Sequence, residues 1–327
     1  MQSTLQKIAL QFGVNSKKIE PAGEGGFSGA GVWKVQDKQG NFSSVKRLTN
    51  VSADHLAWIH RVLLHTVVCD CDFVAAPRRT KEGISFLETG DGSEKGLWEV
   101  CHWVPGEADF HTNSSDERLA NAMKSLAKFH QSAAQVNFDF RPSPSIKTRM
   151  DGLKQLTTTC ASILGPPAQF PALTTLLMQL KQIPAVRIQA YFQSLQRFEK
   201  QTLPLQPVIR DLWHDHLLFT GDQLTGLIDF DAMQMDTIAM DLTRCLGSLV
   251  PNDPQRWTFA LNAYSSVRPI QNAELALIKI LDPVNVILST LNWLKWIAID
   301  QRSFANTDAV ETRLNLLVDR LGRLLWS

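Results

Sequence analysis

The hydrophobic pattern of this chain changes period at Pro105-Gly106, and that change limits what it can fold into. Before this point, short β-compatible runs alternate with polar turns. Phe27 to Val35 and Phe42 to Leu48 predict a hairpin joined through Asp37, Lys38, Gln39 and Gly40. Further strands are expected around Phe73 to Arg79, Ile84 to Glu88 and Leu97 to Val104, with Gly90 to Gly96 joining the last two. One helix interrupts them, because Leu56, Ile59, Val62, Leu63 and Val67 recur at helical spacing over 53–67.

After Gly106 the stripes are mostly helical. Ser114 and Glu117 stand as a capping box before Leu119, Met123, Leu126 and Phe129, which predicts a helix over 115–134. The stretch from Asn137 to Leu203 holds two or three helices broken by Pro166, Pro167 and Pro171. A short strand at Val208 and Ile209 follows, then a hairpin of Leu217 to Phe219 and Leu224 to Ile228 turning at Gly221 and Asp222. Helices fill the remainder. The expected class is α+β and bilobal, with a small strand-rich lobe over 1–103 and a larger helical lobe over 104–327. The crevice between such lobes is the default ligand site.

Charge narrows the choice of partners. Lys and Arg total 33 against 32 Asp and Glu, so no long-range field favours nucleic acid or an anionic membrane. Five scattered cysteines suit reduced thiols in a cytoplasmic protein, and Cys69 and Cys71 lack the second pair or His cluster a zinc site needs. Residues 1–12 carry no long hydrophobic run, so neither a signal peptide nor a membrane span is expected.

The chemistry concentrates in Ile209-Arg210-Asp211-Leu212-Trp213-His214-Asp215-His216, followed by Gly226-Leu227-Ile228-Asp229-Phe230. Phosphoryl transfer needs one carboxylate to orient and deprotonate a hydroxyl and another to hold the metal that neutralises phosphate charge. Two aspartates on turns flanking a short hairpin satisfy that need. The segment resembles the kinase catalytic loop and metal-binding turn in the form used by aminoglycoside phosphotransferases, choline kinases and homoserine kinases. The resemblance implies a protein-kinase-like fold, Asp211 as catalytic base and Asp229 as metal ligand.

The run from Gly23 to Trp33 is similar to that family's glycine-rich loop, which implies that Gly25, Gly26, Ser28 and Gly29 approach the phosphates of ATP. Lys46 in Ser-Val-Lys-Arg-Leu stands where the family carries its phosphate-binding lysine. The run Trp98 to Gly106 resembles the inter-lobe linker that holds adenine, which brings Glu99 and Cys101 into the nucleotide site. Leu126 to His130 resembles a family helix motif, although His130 reads as a satisfied core histidine. Asp241 reads as a helix N-cap. Trp257, Trp293, Trp296 and Trp326 read as core, and the charges around Arg313, Asp319, Arg320 and Arg323 as a solvated helix face.

Three positions depart from the family pattern. Ile209 replaces a His and reads as apolar core. His216 replaces the Asn that helps hold metal; Mg²⁺ prefers oxygen ligands, so imidazole points toward Mn²⁺. The 53–67 helix has no Glu for Lys46, which leaves Asp54, His55 or His60 as candidates. The expectation is an ATP- and Mg²⁺-dependent kinase of a small-molecule hydroxyl. The competing readings are a nucleotide-binding pseudokinase and, because His214 and His216 alternate near Asp211 and Asp229, a hydrolytic metal site. No motif in 137–203 names the acceptor, although its lean toward Lys and Arg hints at an anion.

Overall fold

The computed structural model describes residues 2–22, 31–90, 95–163, 165, 167, 169–304 and 306–326. The chain divides into two compact units. The first comprises Met1–Asn137, Trp213–Met233 and Ala260–Arg268, and the second Phe138–Leu212, Gln234–Phe259 and Pro269–Ser327. Residues 104–137 and the 217–228 hairpin therefore pack with the N-terminal strands.

The first unit opens with helix α1 (Gln2–Gln11) and an antiparallel sheet of β1 (Ser16–Pro21), β2 (Gly31–Asp37), β3 (Phe42–Leu48), β4 (Leu87–Thr89) and β5 (Gly96–His102). The strand order is β1-β2-β3-β5-β4. The β2–β3 turn forms because Asp37 Oδ1 accepts from the amides of Gln39 and Asn41, at 2.9 and 2.8 Å. Val35, Val45, Trp98 and Val100 project from one face and pack against Leu5, Ile8 and Phe12. Full burial of side chains this large contributes about 1.5–3 kcal/mol each.

Helix α2 (Ala53–Val68) starts at Ser52, whose hydroxyl accepts from the His55 amide, and it buries Leu56, Ile59, Val62 and Leu63. It packs on α3 (Asp116–Ala133). The α3 cap is Ser115, one residue later than the expected Ser114, with its hydroxyl accepting from Arg118 N at 3.0 Å. Phe73 to Arg79 is not a strand; it makes only isolated bridges, including a parallel one from Val74 to Leu227. Strands β8 (Leu217–Thr220) and β9 (Gln223–Leu227) form the expected hairpin. At Gly106 φ is +110° and a Cβ would lie 2.9 Å from Phe219 N, so the chain leaving β5 can pass the hairpin only as glycine.

In the second unit, β7 (Leu203–Val208) lies between β6 (Asp139–Arg141) and β10 (Gln234–Asp236), antiparallel to both. The 137–203 stretch holds three helices, α4 (Pro144–Ser162), α5 (Pro171–Gln182) and α6 (Ala185–Glu199). They surround α9 (Asn272–Leu294), which also packs on α7 (Ala239–Leu249) and α10 (Thr307–Trp326). The remaining helix, α8, spans Pro254–Ser265. Along α9, Leu277, Ile278, Leu281, Val284 and Ile287 are buried, as a central helix requires.

Two sequence expectations fail here. Of Trp257, Trp293 and Trp296, only Trp293 is buried, and the other two are half-buried covers. Arg313 is buried and Arg320 Nη2 donates to Asp282 Oδ1 at 2.6 Å, so these two residues pack, while Asp319 and Arg323 are exposed as expected. Among the described residues no helix is long and apolar enough to cross a membrane.

Candidate active site

Lys46 sits on β3 directly opposite Glu99 on β5, so their side chains share one face of the sheet. Its ammonium lies 3.0 Å from Asp229 Oδ1 and 2.7 Å from Asp231 Oδ2. Burial disfavours that charge, but Asp229, Asp231 and Glu99 together outweigh it, and the lysine's proton is held more tightly than usual. None of Asp54, His55 and His60 pairs with Lys46. His55 Nε2 lies 3.0 Å from the Met233 carbonyl, and His60 Nε2 lies 2.7 Å from Glu99 Oε2. A carboxylate can only accept, so His60 Nε2 carries the hydrogen, while Nδ1 faces Ser85 Oγ at 2.9 Å. The helix thus presents a histidine where a Glu was sought, and the strand presents the carboxylate.

Lys46, Glu99, Asp229 and Asp231 reach a cavity of about 290 Å³ contained in the first unit. Its walls include Val32, Leu63, Val104, Leu218 and Ile228, and Lys46, Glu99, His216, Asp229 and Asp231 line it as well. Trp98 to His102 proves to be strand, so any linker begins at Trp103. Cys101 lines the cavity, and burial, reinforced by the Glu99 charge, pushes its thiol well up, which keeps it neutral. Gly25, Gly26, Ser28 and Gly29 lie outside the described residues.

Asp229 adopts φ +64°, a left-handed conformation that a non-glycine residue occupies at some cost. Burial works against its charge, but Lys46 and then His216 hold its carboxyl below the usual range. Asp231 goes the other way. Burial raises it to about 6, and the neighbouring Asp229 and Glu99 add to the rise. Sequence reasoning missed Asp231, although a second acid two residues after Asp229 was visible.

His214 and His216 lie on a 3₁₀ turn instead of entering a strand, so they diverge. His214 Nε2 sits 3.0 Å from Asp215 Oδ1 and its ring packs edge-on against His111. His216 Nε2 points to Asp229 Oδ2 at 3.5 Å. Among the described residues no group of three or more His, Cys, Asp or Glu is placed to hold a metal by itself. Asp229 and His216 nevertheless offer an oxygen and a nitrogen donor side by side. That pair fits a divalent ion whose remaining ligands are phosphate oxygens and water.

Asp211 belongs to the second unit. Ile209 is wholly buried after β7, as an apolar replacement should be. Arg210 adopts φ +68°. Asp241 holds this turn, with its Oδ2 accepting from Ile209 N at 2.7 Å and its Oδ1 from Arg210 N at 2.6 Å. It is therefore not an N-cap; it lies wholly buried in the first turn of α7 and fixes the loop that presents Asp211. The Asp211 side chain is about half exposed and accepts from Arg244 Nη2 at 2.9 Å. Away from this loop, His130 is a core histidine with Nδ1 2.8 Å from the Tyr264 hydroxyl. Cys71 is buried and Cys69 half-buried, both free.

The sequence model of the phosphotransferase enzyme family matches residues 19–270. Homoserine kinase of Parvibaculum lavamentivorans is 30% identical over 157 residues, 46% of this chain and 44% of that enzyme. Homoserine kinase of Rhizobium johnstonii is 36% identical over 84 residues, 24% of this chain and 26% of that enzyme. The chain thus spans about a quarter to less than half of the length of these curated relatives. Among solved structures, spectinomycin phosphotransferase in complex with ADP and spectinomycin superposes with a TM-score of 0.69 at 11% identity, covering 98% of this chain and 97% of that one. Amicoumacin kinase in complex with AMP-PNP, Ca²⁺ and its ligand gives 0.66 at 15% identity, covering 97% and 93%. The α+β fold is shared with these proteins.

Proposed function

Because the chain belongs to the phosphotransferase enzyme family, we propose that it transfers the γ-phosphoryl group of ATP to a hydroxyl of a small molecule. The observation that carries this reading is the Lys46 ammonium held between Asp229 and Asp231 in the wall of a largely apolar cavity. The apolar walls suit a nucleobase, and Lys46 suits the α and β phosphates. Asp229 and His216 would hold the divalent cation, Mg²⁺ or Mn²⁺, whose chemistry when bound is to neutralise charge on the transferring phosphoryl oxygens.

In this reading Asp211 orients the acceptor hydroxyl and takes its proton at Oδ as the oxygen attacks. Arg244 holds that carboxylate in one orientation, and Asp241 keeps the loop backbone in its left-handed turn. Glu99 and Cys101 border the nucleotide, and Gly25, Gly26, Ser28 and Gly29 are proposed to cover its phosphates. Five free cysteines favour a reducing, cytoplasmic setting. The test is ADP release from ATP with a panel of hydroxyl metabolites, run for the parent and Asp211→Asn. Acceptor-dependent release that vanishes in the variant is expected; equal release from both would remove Asp211 from the mechanism.

A further inference from the structure

Arg149 on α4 and Arg244 on α7 are both tied to one face of α9. Arg149 Nε donates to Asn285 Oδ1 at 2.9 Å, and Arg244 Nη1 donates to Ser289 Oγ at 3.4 Å. These anchors are four residues apart on the helix, about 6 Å along its axis. Arg244 turns its other arm to Asp211, which ties the proposed base to the face of α9 on which Arg149 is anchored. Arg210, the residue before that base, is exposed and makes no side-chain hydrogen bond or ion pair with any described residue. Arg149 Nη1 reaches the Ser145 carbonyl at 3.3 Å, while Nη2 has no hydrogen-bond partner among the described residues.

Three cations this close need compensation. Burial lowers the Arg149 guanidinium to about 10; Asp236 opposes that fall, while Arg210 and Arg244 deepen it. Asp241 is taken up by two backbone amides and Asp211 has to meet the hydroxyl, so Asp236, whose Oδ1 accepts from Ser143 Oγ and Thr237 N while its buried Oδ2 has no hydrogen-bond partner among the described residues, is left to balance the three cations. Arg320, the next cation toward Arg244, is already paired with Asp282. A ligand bearing an anion would relieve the repulsion, and a cationic ligand would increase it.

We propose that Arg149, Arg244 and Arg210 form an oxyanion-binding subsite beside Asp211, so that the acceptor is a hydroxyl compound carrying a carboxylate or a phosphate. The proposal rests on the assignment of Asp211 as base. Paired guanidinium arms with planar donor geometry match either oxyanion.

Calorimetry with the full chain, using glycerate, glycerol 3-phosphate, glycerol and choline, tests it. Glycerate or glycerol 3-phosphate should bind at least about tenfold more tightly than glycerol, the scale of one charge-assisted contact. The carboxylate and phosphate arms show which oxyanion is read. Arg149→Gln should erase that margin, and Arg149→Lys, which keeps the charge but not the fork, should retain part of it and serves if the first variant does not fold. The subsite is overturned if neither anion binds, if choline or glycerol binds as tightly, or if both Arg149 variants bind like the parent. If an anion binds through Arg149 but no hydroxyl compound releases ADP, the subsite stands and the phosphotransfer reading fails, so the two can be told apart.

Discussion

His60 Nε2 lies 2.7 Å from Glu99 Oε2, and Glu99 stands opposite Lys46 across the β3–β5 ladder. Lys46 is thereby linked to α2 through a strand carboxylate and a helix imidazole. Both members are buried, so removing one strands the other. His60→Ala should destabilise the protein by about 2–4 kcal/mol and weaken ATP binding as Lys46 loses its frame. Urea denaturation and ATP titration check this; an unchanged midpoint and affinity would reduce the pair to a spectator.

Lys46→Ala should weaken ATP binding by about 1–3 kcal/mol, the scale of a lost charge-assisted phosphate contact. Adenosine, which lacks phosphates, should bind the variant as it binds the parent. Equal losses for both ligands would make Lys46 structural.

Much of the fold was legible because period and turn chemistry agree along the chain. The α2 stripe from Leu56 to Val67 and the Gly221-Asp222 turn can be read locally, and both form. Val74 is different. Its neighbours look like a strand, but what it pairs with is Leu227, more than a hundred residues away, and local pattern carries no such information. The same limit applies to the site. Lys46 and Asp229 stand out as residue types at expected spacing, but the role of Asp241 depends on an amide pair contributed by the 209–210 turn. The strand expected over Leu97 to Val104 forms as β5, but that its Glu99 carboxylate meets His60 depends on the packing of α2, which no local pattern shows.

Gly106→Ala should cost about 2–4 kcal/mol, combining the penalty of a side chain at positive φ with a backbone collision. A Cβ there would meet the Phe219 amide at 2.9 Å and Thr225 Oγ1 at 2.6 Å, and backbone cannot yield as a flexible side chain would. Thermal unfolding should show the loss. Gly40→Ala is the control, since it has positive φ but open space, and it should cost less.

Asp211→Asn should lower kcat by at least about a hundredfold, the lower end for losing a general base. The nucleotide dissociation constant should stay nearly constant, because Asp211 is assigned to the acceptor hydroxyl and Lys46 and Asp229 to the nucleotide. Asn can still accept from Arg244 Nη2, so the loop should keep its shape. A parallel loss of ATP affinity would argue that Asp211 holds the loop rather than the proton.

His216→Asn tests which cation the site prefers. The imidazole Nε2 faces Asp229 Oδ2 at 3.5 Å, and the two side chains converge from the 3₁₀ turn and from the residue after β9 and Ile228. Nitrogen donors favour Mn²⁺ over Mg²⁺ relative to an all-oxygen site. The parent should therefore bind Mn²⁺ with ATP more tightly than Mg²⁺ with ATP, and the Asn variant, offering a carbonyl oxygen, should narrow the gap. Paramagnetic detection of bound Mn²⁺ reads this without any acceptor, so it is independent of turnover. If His216 instead meets a phosphate oxygen, the metal preference stays the same in both proteins, and the parent binds ATP more tightly than the Asn variant with either metal. Identical metal preference together with identical ATP affinity would exclude His216 from the nucleotide site altogether.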